Sequence, residues 1–556
     1  MNRNQTKKNI LHWLQEHRWL LLILLLAAFF RLYRPGLYET WLDEQIIHDS
    51  AIQLARHGKW TWVGNPASFV MLDAHSPFAT YLIAIPYFFS PDLQIARAFI
   101  GLFGIATAAT MYWLVCRYYG QKAALWAALF VALSPQLIAK TRFVWNPNLD
   151  GPFIVLWMLT GLQGYYEGHR KAQILHWVLL SAAIQTQASL VVIAPLSLFL
   201  FLFRWFSSPD RRYETIKTTL LGFLAAGITL IPWVIGLIGV RLGTVSLPGL
   251  DTNEGVSGLI ISLPDPGRIW LGFSTMAGGA NFYLNTLNIS SVRSFWWPPV
   301  ALNLIFQFQA ILIFAIMAWC IYKAIQKQLH FPTLFISLVT IWPLIYFLLE
   351  DTKRISWNYM SPVPIAAIAI LAIGLTRTAT YSQLTTLLLI LLISAHGWLA
   401  SAHLNWYITD PELLRVSDIQ AIIEDWHQIG DEILILEEPS DEPRMTRVEW
   451  ELHWRVFREA YPLRFVSRPH AFPVAPGGEV IASITSGQTI PTLFGDGEIV
   501  SMLRRDYRYL FITPDDIPQS NFTPVETMHF GDLLEVLGVI ADPPKPGQEW
   551  PLILVI

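Results

Sequence analysis

A series of long apolar stretches between about residues 19 and 403 constrains this chain more than any other feature. A helix that crosses a bilayer needs roughly 20 apolar residues, with about 17–25 the usual range. Segments of that kind lie near 19–33, 93–117, 123–140, 150–166, 172–188, 189–206, 218–240, 299–322, 331–349, 356–376 and 381–403. In hydrocarbon every backbone N–H and C=O must be satisfied within the protein, so such stretches fold as packed helices. The expected fold is a polytopic α-helical membrane protein with about eleven transmembrane helices. Only 14% of the 556 residues are charged, against about 25% in an average soluble domain. That composition excludes a disordered chain and gives no basis for a nucleic-acid partner.

The near-zero net charge of −3 hides a split. Residues 1–404 carry 27 Lys and Arg against 16 Asp and Glu, whereas residues 405–556 carry 11 against 25. The first part is apolar and basic, the second polar and acidic, and the boundary is expected at 403/404. The basic residues also set an orientation. The first segment follows Lys7, Lys8 and Arg18 and is followed by Arg31-Leu32-Tyr33-Arg34-Pro35 rather than by a cleavage site, so it reads as a retained span with a cytoplasmic N-terminus. The apolar stretch 77–89 is too short to cross and reads as an interfacial or re-entrant helix. Arg117, Lys122, Arg170, Lys171, Arg204 to Lys217, Lys323, Lys327 and Arg377 then all fall in cytoplasmic connections. This places loop 31–92, the short connection 141–149, the long loop 242–298, residues 350–356 and the acidic tail outside the cell membrane.

The tail, residues 404–556, alternates apolar runs with turn residues and contains one helical pattern near 448–460. It is expected to form a soluble extracytoplasmic domain of mixed α/β or β-rich structure. Cys116 and Cys320 both lie in apolar stretches and are expected to be packing residues.

The polar residues suited to chemistry collect at the outer ends of these segments. Asp43 and Glu44 open a surface-helix pattern about ten residues after the first span. Paired carboxylates can activate a hydroxyl or contribute to a divalent-metal site, and a divalent metal is the only cofactor that this pattern suggests. The connection 141–149 and its flank hold Arg142, Trp145, Asn146, Asn148 and Asp150, a set that can bind phosphate and sugar hydroxyls. Arg354 and Tyr359 precede the tenth span. His75 precedes Ser76-Pro77, Arg97 opens the second span, and Gln185 and Gln187 end the fifth. Buried or interfacial ionisable groups of this kind default to a functional reading.

In layout the sequence resembles the GT-C membrane glycosyltransferases, nearest to glycosyltransferase family 39 and its aminoarabinose-transferase and protein O-mannosyltransferase relatives. The resemblance covers roughly residues 10–400. It rests on Asp43-Glu44 after the first span, Gly58-Lys59-Trp60 after the surface helix, His75-Ser76-Pro77, Arg97, and the run from Tyr359 to Pro364. The family pattern has an Arg followed by an Asp in the second outer loop; here Arg142 is followed by Asn146, and the first Asp is Asp150. Either Asn146 or Asp150 fills that place. The resemblance implies a sugar donor linked to polyprenyl phosphate and an extracytoplasmic acceptor that is a lipid, an envelope glycan or a protein. It implies Asp43 as the base with Glu44 beside it, and Arg142, Arg354, His75 and Arg97 as phosphate ligands. Trp145, Asn146, Asn148, Asp150 and Tyr359 would then contact sugar or acceptor. The alternative from another class is a secondary transporter with an accessory domain, but no repeated halves or mid-membrane charges support it.

Overall fold

The structure, a computed structural model, describes residues 15, 17–40, 42–65, 74–245, 266–279, 299–326, 328, 330–349, 360–377, 382–409 and 415–427. Of the remainder of the tail it describes 433–437, 456–457, 459–461, 463–467, 479–485, 499–500, 507–512, 522–529, 535–541 and 552–555. The chain divides into two units. The first comprises residues 1–35, 46–89 and 95–408, and the second residues 36–45, 90–94 and 409–556.

A helix lies on every apolar segment of the first unit. In chain order they are α1 (Arg18–Leu32), α2 (Leu42–His57, begun in the second unit), α3 (Phe78–Tyr87), α4 (Leu93–Tyr119), α5 (Gln121–Leu133), α6 (Pro135–Lys140), α7 (Asp150–Gly161), α8 (Arg170–Thr186), α9 (Ala194–Ser207), α10 (Arg212–Arg241), α11 (Pro266–Met276), α12 (Pro299–Ile325), α13 (Phe331–Leu349), α14 (Pro362–Arg377) and α15 (Ser382–Thr409). Among the described residues five stretches, 93–119, 188–207, 209–241, 301–323 and 383–409, are long and apolar enough by themselves to cross a membrane. The short stretch near 77–89 forms the ten-residue α3. Where the sequence shows one apolar run at 123–140, the chain breaks at Ser134-Pro135. Proline lacks the N–H that would continue the ladder and starts a helix well at its first position. Ser134 caps the new helix by accepting from Leu137 N.

Helix α14 is the centre of the first unit: Ile365, Ala366, Ala367, Ile370, Leu371 and Ala372 are all buried. It packs against α5 and α13, α8 packs against α7 and α10, and α1 against α5. By contrast α10 keeps Leu220, Phe223, Leu224, Ile228 and Ile231 exposed. A helix with so apolar an outer face is stable beside lipid chains and not beside water. This is a membrane protein. One polar network is paired at the core of the helical packing. His176 meets Trp157 O at 3.0 Å and Ser197 Oγ at 2.9 Å, and Trp157 Nε1 donates to the same Ser197 Oγ at 3.0 Å. That network ties α7, α8 and α9 together.

Among its described residues the second unit holds α16 (Val416–His427) and eight strands: β1 (Ile433–Glu437), β2 (Leu463–Ser467), β3 (Glu479–Thr485), β4 (Ile499–Val500), β5 (Tyr507–Ile512), β6 (Phe522–His529), β7 (Glu535–Ala541) and β8 (Leu552–Val555). One sheet has the order β2-β1-β3-β5-β4, and a second the order β6-β7-β8. β1 runs parallel to both β2 and β3, whereas β5 is antiparallel to β3 and β4. Two short pieces of the first loop belong to this unit. Val416 N donates to Tyr38 O at 3.4 Å, and Gln94 Nε2 donates to Gln420 Oε1 at 2.5 Å. The expected boundary at 403/404 falls inside α15, which continues to Thr409. The helical pattern expected at 448–460 lies largely outside the described residues.

Candidate functional site

Asp43 and Glu44 stand in the first turn of α2, where the unpaired backbone N–H groups of a helix start favour negative charge. Glu44 is fully buried and Asp43 half-buried. Farther along the same helix His48 Nδ1 meets Tyr87 Oη at 2.5 Å, which fixes α2 against α3. Among the described residues no three His, Cys, Asp or Glu side chains gather as a metal site would need.

In the first unit, the connection 141–149 is built by three buried cations. Lys140, at the end of α6, donates to both carboxylate oxygens of Asp150, at 2.7 and 2.8 Å, and also to Ser361 Oγ. Lys140 and Asp150 are both buried, so this pair closes the connection from both sides and fastens it to the start of α14. Sequence reasoning misses Lys140. Its marker there is an opposite charge ten residues on, across a proline-broken turn.

Arg142 is buried, and its guanidinium is directed at backbone. Nη1 donates to Phe30 O at 2.6 Å, and Nη2 donates to Tyr33 O at 2.7 Å and Arg34 O at 3.0 Å. These are carbonyls at the C-terminal end of α1, which lack intrahelical partners and carry partial negative charge. Arg31, on α1, returns the arrangement. It donates to Ala132 O and Val131 O, both at 2.9 Å, at the C-terminal end of α5. The two arginines thus tie α5, α1 and the 141–149 connection in series, each through helix-end carbonyls. Gly104 makes room for this: a Cβ there would lie 2.3 Å from Arg31 Nε.

Asn146 Nδ2 donates to Thr186 O at 2.9 Å and to Gln187 Oε1 at 3.3 Å, which draws the connection to the end of α8. Asn148 Nδ2 donates to Phe143 O at 2.8 Å. Both amides keep a buried carbonyl oxygen without a hydrogen-bond partner. Trp145 stacks on Phe143 with ring centroids 5.7 Å apart. Gln185 accepts from Ser76 Oγ at 3.1 Å and donates to Thr229 Oγ1 at 3.0 Å.

His75 lies in the strap before α3. Its backbone N–H donates to Asn65 O at 2.9 Å, and its carbonyl accepts from Gly64 N at 2.8 Å. Nδ1 is buried without a partner, and burial pushes the imidazole down to about 4, so it is neutral near pH 7. Arg97 is fully buried, with Nη1 3.3 Å from Pro35 O. Arg354 and Tyr359 lie outside the described residues. A small cavity, with about 20 Å³ of room for water, lies between α6, α11, α12, α14 and α15. His396 and Gln309 line it, joined Nε2 to Oε1 at 3.0 Å.

No family model matches the chain, and no curated protein matches it. Solved structures do. ArnT from Cupriavidus metallidurans in the apo state is 14% identical over 91% of this chain and 100% of its own, with a TM-score of 0.52. The same protein bound to undecaprenyl phosphate is 13% identical over 90% and 100%, with a TM-score of 0.51. An oligosaccharyltransferase from Archaeoglobus fulgidus in the apo form is 14% identical over 82% of this chain and 65% of its own, with a TM-score of 0.46. The likeness to ArnT extends through the whole of that protein. This chain has the GT-C fold.

Proposed function

We propose that the protein is a multi-pass cell-membrane glycosyltransferase that takes a sugar from a polyprenyl-phosphate donor and passes it to an extracytoplasmic acceptor. The observation that carries this reading is the fold shared with ArnT over nine-tenths of the chain, one of the ArnT structures holding undecaprenyl phosphate. The charge pattern adds to it. The N-terminus and the basic connections stay in the cytoplasm, and the acidic tail and the candidate residues face outward.

In this reading the Asp43 carboxylate takes the proton of the acceptor hydroxyl as that oxygen attacks the anomeric carbon. The bond from the anomeric carbon to the donor phosphate breaks on the opposite face, so configuration inverts and polyprenyl phosphate leaves. Glu44, fully buried, supports the position of Asp43. Arg354 supplies positive charge to the departing phosphate, and His75, as a neutral imidazole, offers a hydrogen bond without a permanent charge. Arg97 is a third candidate ligand of the phosphate. Arg142 and Asp150, directed at backbone carbonyls and Lys140, hold the 141–149 connection in shape. The free carbonyl oxygens of Asn146 and Asn148 can accept from sugar hydroxyls, with Trp145 and Tyr359 as stacking surfaces. The acceptor is a lipid, glycan or protein. A divalent metal, if used, would have Asp43 and Glu44 as its ligands.

The test uses purified full-length protein in lipid, a panel of polyprenyl-phosphate sugars and mixed envelope acceptors, and follows release of polyprenyl phosphate. Release with one donor and transfer of its sugar is the expected result. No release with any donor, together with uptake of a radiolabelled solute into vesicles, would replace this reading with the transporter.

A further inference from the structure

At the opposite end of the first unit, where α9 ends and α8 and α10 begin, the cations are arranged differently. Arg204, in the last turn of α9, is only 8% exposed, and its Nε is enclosed without a hydrogen-bond partner. Among the described residues no carboxylate comes within ion-pair distance of it. Of the acids nearby in sequence, Asp210 lies exposed on the short turn Pro209–Arg211, and Glu167 and Glu214 are engaged elsewhere. Glu167 accepts from Arg117 Nε at 2.7 Å and from Tyr118 Oη at 2.8 Å, and Glu214 pairs with Arg170 at 3.1 Å. Arg211 follows on the short turn Pro209–Arg211 and is exposed. Arg212 lies over the Trp205 ring at 5.1 Å and donates to Trp205 O at 3.2 Å.

The backbone keeps this place open. Gly168 has φ +88, and a Cβ there would come 2.5 Å from Arg204 Nη2 and 3.0 Å from Cζ. The guanidinium therefore rests on bare backbone, and any other residue would displace it. Helix α8 starts beside it, and His169 before that helix provides no side-chain cap. Helix starts carry partial positive charge and uncommitted N–H groups, which favour an anion. A buried guanidinium, a second arginine and an uncapped helix start form a positive concentration that costs free energy until an anion enters. The rim is apolar: Phe206 is 70% exposed and Tyr213 76% exposed, at the ends of helices whose faces suit lipid. Aromatic residues in such positions mark the boundary between headgroups and chains.

We infer that Arg204 and Arg211 form a binding site for the phosphate of an anionic phospholipid. Guanidinium and phosphate match in charge and fork geometry, and Arg204 has no carboxylate within ion-pair distance among the described residues. The inference does not depend on the glycosyltransferase reading, because it concerns other residues and a lipid without a sugar.

The experiment reconstitutes the full chain in nanodiscs of phosphatidylcholine containing a rising fraction of phosphatidylglycerol. Native mass spectrometry reads retained lipid, and thermal unfolding reads stabilisation. Wild type should retain phosphatidylglycerol and be stabilised saturably. Arg204→Gln should weaken the apparent affinity about tenfold or more, as loss of a charge-assisted bond would. Arg211→Gln should weaken it about fivefold and carries the test if Arg204→Gln does not fold. Lys122→Gln, an exposed cation at the same end, should match wild type. Equal losses in Lys122→Gln, or wild-type retention in both arginine variants, would overturn the site. Equal stabilisation by sodium phosphate in detergent would overturn the lipid as its occupant.

Discussion

The two ends of the helical unit use buried arginine and lysine in opposite ways. At the 141–149 end, Arg31 and Arg142 cap helix carbonyls and Lys140 is paired with Asp150, so the cations serve the fold directly. At the Arg204 end, a buried guanidinium has no acidic partner among the described residues, and glycine backbone preserves the space over it. Burial alone therefore does not mark an arginine as functional or structural. What the guanidinium faces decides: an internal acceptor makes it a clamp, and the lack of one leaves it for a ligand.

This contrast can be broken most easily at Lys140. Lys140→Met strands a buried carboxylate, and about 3–5 kcal/mol of stability should be lost. The double variant Lys140→Met with Asp150→Leu should recover most of it in thermal unfolding. A double variant no more stable than the single would show that the pair does more than close the connection. His75 gives the next effect. The folded state holds it neutral down to about pH 4, whereas the unfolded chain takes up a proton near 6.5. Stability is thus full above about pH 6.5 and falls by up to ~3 kcal/mol as pH drops to about 4. His75→Gln should remove that share of the slope, as denaturation over a pH series would record. Arg31→Met should cost about 2 kcal/mol by orphaning the Val131 and Ala132 carbonyls. Arg142→Met should do the same at α1, and the two losses should not add, because Arg142 steadies the end of the helix that carries Arg31. The smallest effect is expected at Arg204. In neutral lipid Arg204→Gln should change stability by less than about 1 kcal/mol, as a substitution that breaks no ion pair does. A larger loss would place Arg204 with the clamps.

Much of this organisation is legible in the sequence, and the limits have physical causes. Helices lie on the apolar segments because length and hydropathy are local properties, and no partner is needed to recognise them. The break at Ser134-Pro135 has a local signal too, a capping residue followed by proline, yet a continuous apolar run conceals it. The arginine caps are not legible. Arg31 and Arg142 bond to backbone carbonyls about a hundred residues away, and carbonyls leave no trace in residue type. Lys140 is hidden for a related reason: a lysine at a helix end ordinarily snorkels to water, and only the fold turns it inward to Asp150. Likewise Arg204 reads as one more basic residue setting orientation until its lack of an acid is seen. Asp43 and Glu44 are legible as a pair, but not that their segment groups with α16 and the sheets.

The central claim is that Asp43 serves transfer from a polyprenyl-phosphate donor. Its most direct test is the release of polyprenyl phosphate by Asp43→Asn in lipid, with donor binding measured on the same preparation. The account predicts that turnover falls about 10²–10⁴-fold while donor binding stays at the wild-type level. Full turnover in that variant would contradict it.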